Sequence, residues 1–118
     1  MNEFTVCLPL EGEYFTTVRL TTGGLCSLVG FDVDSAEDFK VCVTESLLIL
    51  KRNGFREASI DFSVGEKLGC AVEGKRLIGE KEEALEEEIS RALLAALLGE
   101  VDFVKDADGR VQKIVFEG

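Results

Sequence analysis

Apolar and polar positions alternate through "EFTVCLPL", with Phe4, Val6 and Leu8 on one face, which predicts a strand. Pro9 closes it and marks it as a first or edge strand. From residue 12 to 29 the period becomes helical: Phe15, Val18, Leu20, Leu25 and Leu28 recur at helical spacing, with Gly23 and Gly24 weakening the middle. A second helix starts in "FDVDSAEDFK". Asp34 or Ser35 serves as its cap, and Glu37 and Asp38 lie in the first turn, where the helix dipole favours negative charge. It runs to about Arg52. There "RNG" stops it, with Gly54 free to adopt positive φ.

"ASIDFSVGEKLGCAV" then alternates twice. Ile60, Phe62 and Val64 precede a Gly65-Glu66 turn, and Leu68, Cys70 and Val72 follow it, which predicts a hairpin. "EGKRLIG" reads as a linker. "EKEEALEEEISRALLAALLGE" reads as a third helix with Leu85, Ile89, Leu93 and Ala96 toward the core and Glu82, Glu83, Glu86 and Glu87 on the wet side. "EVDFVKDADGRVQKIVFEG" closes as a second hairpin turning at Asp106 to Gly109. The order β-α-α-β-β-α-β-β predicts an α+β fold, a mixed or antiparallel sheet with helices packed on one face.

The totals narrow the function. At 118 residues, 46% hydrophobic and 31% charged, residues 1–118 read as one domain able to bury a core. No apolar run reaches the roughly 20 residues that span a bilayer. The start, "MNEFTVCLPLEGEYF", lacks the basic stretch of a secretory signal, so the cytoplasm is expected. A net charge of −10 argues against nucleic-acid and anionic-membrane partners, since both need basic surface. It leaves open a basic protein partner. Cys7, Cys26, Cys42 and Cys70 form no CxxC pair, and no histidine completes a zinc site. They read as reduced core thiols, and no metal is expected. Without histidine there is no histidine base and no Ser-His-Asp triad.

One carboxylate stands out. In "CVTESLLILKRNG", Glu45 interrupts an apolar run. A buried carboxylate is costly unless it is paired or used. The same segment carries a resemblance. "EYFTTVRLTTGGLCSLVGFDVDSAEDFKVCVTESLLILKRNGF", together with the element order, resembles the anti-sigma-factor serine kinases, which belong to the Bergerat-fold (GHKL, histidine-kinase-like) ATPases. The C-terminal "ALLAALLGEVDF" is similar to that family's last helix and closing hairpin. The resemblance implies a two-layer sandwich with a mixed, mostly antiparallel sheet.

It also implies a site, and the sequence departs from that site in three places. In the family an E-x-x-x-N motif supplies a general base and, one turn later, an asparagine that holds Mg²⁺. Glu45 matches the base, but Ile49 stands at the asparagine and has no oxygen for a hard cation. Magnesium is the main neutraliser of charge in phosphoryl transfer. The D-x-G-x-G motif that binds adenine has only Glu73-Gly74 as its counterpart, followed by Lys75 and Arg76. The G-x-G that wraps the phosphates falls on Glu88 and Ser90. "EKEEALEEE", with six glutamates and one lysine, stands where the family keeps a nucleotide lid, and like charge there opposes a triphosphate.

The resemblance therefore implies a degenerate member: a regulatory protein-binding domain, an anti-sigma factor or pseudo serine kinase without ATP or Mg²⁺. Its partners would be a sigma factor or an anti-sigma antagonist, and it would form a homodimer through the first strand and first helix. Glu45 is then a vestigial base at the rim of a collapsed pocket, half exposed or paired with Arg52 or Lys51. Two alternatives stand beside this. One is an active ATP-dependent serine kinase with Glu45 as general base. The other is a homodimeric assembly domain. The acidic run, Glu80, Glu82, Glu83, Glu86, Glu87 and Glu88, is either a recognition surface for a basic partner or a solvated helix face.

Overall fold

The computed structural model describes residues 2–81 and 85–118. Five strands and three helices follow in the expected order: β1 Asn2–Pro9, α1 Phe15–Val29, α2 Val33–Arg52, β2 Phe55–Val64, β3 Leu68–Leu77, α3 Leu85–Leu98, β4 Asp102–Lys105 and β5 Val111–Glu117. One sheet runs β1-β2-β3-β5-β4 with every pairing among the described residues antiparallel, so of the mixed or antiparallel sheet read from the element order it is the antiparallel form. β1 occupies an edge, as Pro9 indicated. The helices cover one face. Ile60 and Phe62 of β2, Cys70 and Val72 of β3, and Ile114 and Phe116 of β5 point into the core, while their alternate neighbours are half-buried or exposed. This is an α+β sheet-and-helix architecture in two layers.

α2 is the central helix. Phe39, Cys42, Val43, Leu47, Ile49 and Leu50 are all buried, and the helix crosses β2, β3 and β5. Phe39 packs edge-on to Phe31 at 5.7 Å and against Phe116 at 5.3 Å, which joins the helix start to the last strand. The cap is Asp32, whose carboxylate accepts from the Ser35 amide at 2.7 Å. Neither Asp34 nor Ser35 fills that role, because the helix starts at Val33, one residue ahead of them. The Ser35 amide, and after it the Ser35 hydroxyl, hold the Asp32 carboxyl below its ordinary value.

Elsewhere the boundaries shift for local reasons. Residues 12–14 form a 3₁₀ turn before α1 begins at Phe15. The inward face of α1 is Val18, Thr22, Leu25 and Cys26, so Leu20 and Leu28 from the apolar set point outward. Gly23 does not break the helix; it faces the Lys40 side chain of α2, 3.6 Å from where a Cβ would stand, an ordinary contact distance. β3 continues through most of the supposed linker to Leu77, because Phe55, Glu57 and Ala58 of a longer β2 pair with Leu77, Lys75 and Gly74. The last hairpin turns at Asp106 to Gly109. The Asp106 carboxylate accepts from the Asp108 and Arg110 amides, and Gly109 adopts φ +80°.

Cys26, Cys42 and Cys70 are buried core thiols, but Cys7 is exposed on the edge strand, where the alternation of β1 turns it away from the helices. Burial pushes all three inner thiols up, Cys42 to about 12 from an ordinary 9.0, with the charges of Asp38 and Glu45 adding to it. An alkylating reagent should therefore modify Cys7 quickly and the other three only in denaturant. A raised thiol value also means that folding favours the neutral form. Stability from Cys42 is complete below pH 9 and falls as pH rises toward 12, where the unfolded chain ionises first. Mass spectrometry showing two or more fast adducts at pH 8 would contradict this packing.

Candidate functional site

Glu45 sits two-thirds of the way along α2 on the flank that meets α3, and it is half-buried. Its Oε2 accepts the Ser90 hydroxyl at 2.7 Å. The Ser90 Oγ in turn accepts from Arg52 Nη2 at 2.7 Å, and the same guanidinium nitrogen reaches the Glu86 carbonyl at 3.5 Å. Glu45 is thus linked to Arg52 through a hydroxyl on the facing helix. Of the two alternatives the sequence left open, half exposure describes it, whereas it makes no direct ion pair with Lys51 or Arg52. The reason is geometric. Ser90 fits between the two side chains and bonds to both, and Lys51 points to solvent.

Next to this chain lies a second one. Asn53, fully buried, closes the C-terminus of α2. Its Nδ2 donates to the Ile49 carbonyl at 2.7 Å and to Glu87 Oε1 at 2.6 Å, while its Oδ1 accepts from the Val111 amide at 3.0 Å. One side chain therefore ties α2, α3 and β5 together. Glu87 Oε1 also faces Arg91 at 4.0 Å, and the Arg91 guanidinium lies 5.1 Å above the Phe103 ring of β4.

These contacts explain a reversal in α3. Its inward residues are Glu87, Ser90 and Leu94, whereas Leu85 and Ile89 are 70% and 58% exposed. Of the face expected to enter the core, Leu85, Ile89 and Ala96 point outward and Leu93 is half-buried; Glu86 is exposed as expected, whereas Glu87, expected beside it, is buried. Leaving the fully buried Asn53 without partners would cost about 1–3 kcal/mol, and the half-buried Arg52 and Glu45 each less. Burying two aliphatic side chains instead returns about 1.5–3 kcal/mol apiece. Leu94 is buried on the same side as Glu87 and Ser90, so this face gives partners to all three polar groups and still anchors the helix in the core. Glu82 and Glu83 lie outside the described residues. Glu80 is exposed and precedes α3.

Of the six residues singled out from sequence, three come together and three stand apart. Glu45, Ile49 and Ser90 come together where α2 and α3 meet, with Ile49 fully buried beneath. Glu88 is exposed on α3. Glu73 lies apart, on the open face of the sheet, where it pairs with Lys75 and raises that lysine above its ordinary value. Gly74 faces the helix side under the Phe55 ring, whose atoms would stand 2.5 Å from a Cβ. The glycine is there for aromatic packing. Among the described residues no cluster of three acidic or cysteine side chains has metal-binding spacing. A groove of about 1100 Å³ on the open sheet face, bordered by Asp61, Gly69, Ala71, Asp102 and Val115, and a smaller cavity of about 410 Å³ beside Phe31, Asp38 and Leu98 involve none of the six positions.

Sequence reasoning missed Asn53 and Arg91 and put Glu87 on the wrong side of its helix. The available signals were an asparagine directly before the helix-ending glycine and a Glu-Arg pair spaced i,i+4.

No family model matches the chain. Over 50 residues it is 30% identical to the serine-protein kinase RsbW of Bacillus thuringiensis (strain Al Hakam), and to the same degree to the proteins of that name from Bacillus mycoides (strain KBAB4) and Bacillus cereus (strain B4264). That stretch is 42% of this chain and 31% of each relative, so the chain spans about a third of the length of the curated relatives it matches. The likeness agrees with the family suggested by the residues around Glu45. No helix among the described residues is long and apolar enough to cross a membrane.

Proposed function

We propose that the chain is a regulatory protein-binding domain of the anti-sigma-factor kind on a Bergerat-type scaffold, with a helix–helix contact in place of a nucleotide site. The observation that carries this reading is the Ser90–Glu45 hydrogen bond at 2.7 Å over a fully buried Ile49. The carboxylate that would serve as base is engaged by α3. The residue one turn on offers no ligand oxygen, and the N-terminal turn of α3 carries Glu86, Glu87 and Glu88 where phosphates need a positive helix end. This donor set does not suit Mg-ATP. The partners the reading implies are a sigma factor or an anti-sigma antagonist. A homodimer over β1 and α1 belongs to the same reading, supported by the edge position of β1 and the exposure of Leu20 and Leu28.

Calorimetry with Mg-ATP is the test. No binding heat is expected at millimolar nucleotide. Ile49→Asn alone should not create binding, because Ser90 still occupies Glu45 and the glutamates remain. A micromolar dissociation constant that requires magnesium would overturn the reading and favour an active kinase.

A further inference from the structure

The outward side of α3 is the least expected surface of the molecule. Leu85, Ile89, Ala92 and Ala96 follow one another at i, i+4, i+7 and i+11, and all four are exposed. At 1.5 Å per residue they form a stripe about 16 Å long. The helix does not need this stripe for the fold, since Leu94, Leu97 and Leu98 already anchor it to the core. The two large residues lie toward its N-terminal end, and the two alanines beyond them let another backbone approach closely. Helical spacing places Glu88 along one side and Glu86 along the other, both exposed. Arg91, the cation of α3, is turned inward onto Glu87 and Phe103.

We infer that this stripe docks an amphipathic helix of a partner protein, one whose apolar face is flanked by lysine or arginine. The contact is one of helix laid against helix, read through i, i+4 and i+7 anchors. The charge selects the partner. A second copy of the chain presents the same two glutamates and no outward cation on α3, so pairing stripe to stripe joins acid to acid. A basic helix meets opposite charge on both flanks, which speeds encounter and fixes register. The inference rests on the reading of the chain as a binding module, but it is independent of whether the domain holds nucleotide.

The probe is a synthetic helix-forming peptide of about 18 residues, with leucines at i, i+3, i+4 and i+7 flanked by lysines. Two control peptides carry glutamate for lysine or glutamine for leucine. Binding is followed by fluorescence anisotropy and mapped by amide chemical shifts. The leucine–lysine peptide should bind with shifts centred on residues 85–96, and binding should weaken as salt shortens the Debye length below its physiological value of about 8 Å. Ile89→Lys should weaken it about tenfold or more, and Leu85→Lys should act in the same direction. Both positions are exposed, so thermal unfolding should stay close to that of the parent. Four results would overturn the inference. These are no binding, equal binding of the glutamine control, indifference to both substitutions, and shifts centred on the open sheet face. A concentration-dependent dimer abolished by Ile89→Lys would also overturn it, since the occupant would then be a second copy. Mg-ATP calorimetry reads the other site, so the two proposals fail separately.

Discussion

Glu87→Lys should lower the unfolding free energy by about 3 kcal/mol, while the same change at Glu86 or Glu88 should stay within about 0.5 kcal/mol. The three glutamates are consecutive and alike in sequence, yet only Glu87 faces α2. Its Oε1 is 2.6 Å from Asn53 Nδ2 and 4.0 Å from the Arg91 guanidinium. A lysine there places an ammonium beside a second cation and opposite an amide that can only donate, with little water to screen them. Glu87→Gln keeps an acceptor for Asn53 and should cost about 1 kcal/mol. Urea unfolding of the four variants tests the ranking. Equal midpoints across all of them would mean that α3 does not rest on this pair.

Gly54→Ala should be more damaging still. Gly54 adopts φ +96°, and an added Cβ would stand 2.4 Å from the Gly79 carbonyl oxygen and 2.8 Å from its carbon. Both are backbone atoms. They are held in place because the Ile78 and Gly79 amides donate to the Gly54 carbonyl at 3.1 and 3.0 Å. The left-handed conformation costs an L-residue about 1–2 kcal/mol, and forcing the two segments apart adds about 1–3 kcal/mol. A loss of about 3 kcal/mol or more is expected in denaturant melts, along with slackening of the end of β3. Unchanged stability would show that the chain at Gly79 yields freely.

The sequence made the order of elements, the edge position of β1 and the turn at Asp106 to Gly109 readable, since period and turn chemistry are local properties. Ile49 was also readable as a buried residue, because it lies on the apolar side of a long, strongly patterned helix. The face of α3 was not. Its stronger apolar period, Leu85–Ile89–Leu93–Ala96, predicts burial of that side. The buried side instead meets Asn53, Arg52 and Glu45, which lie 34 to 45 positions away in the chain and require polar partners. The position of Glu45 in a hydrogen-bonded chain escaped for the same reason. Its partner Ser90 was noticed only as a substituted glycine, and nothing local joins the two. The pairing of Glu73 with Lys75, by contrast, follows from the two-residue repeat of a strand, once β3 is known to extend that far.

The edge position of β1 bears on how the chain reaches this structure. β2 and β3 are joined by a short turn and can zip together early, whereas β1 meets β2 only after α1 and α2 have been laid down; Thr5 and Asp61, bonded at 2.8 Å, are 56 positions apart. Long-range closure is slow compared with hairpin formation. During that interval β2 is itself an edge, with open amides and carbonyls that any other chain could extend. The side chains β2 turns toward the open face include Glu57 and Asp61, two like charges four residues apart. An intruding strand from another copy would bring the same pair against them. Like charges at Glu57 and Asp61 thus disfavour such copy-to-copy pairing at any time β1 leaves the edge of β2 uncovered.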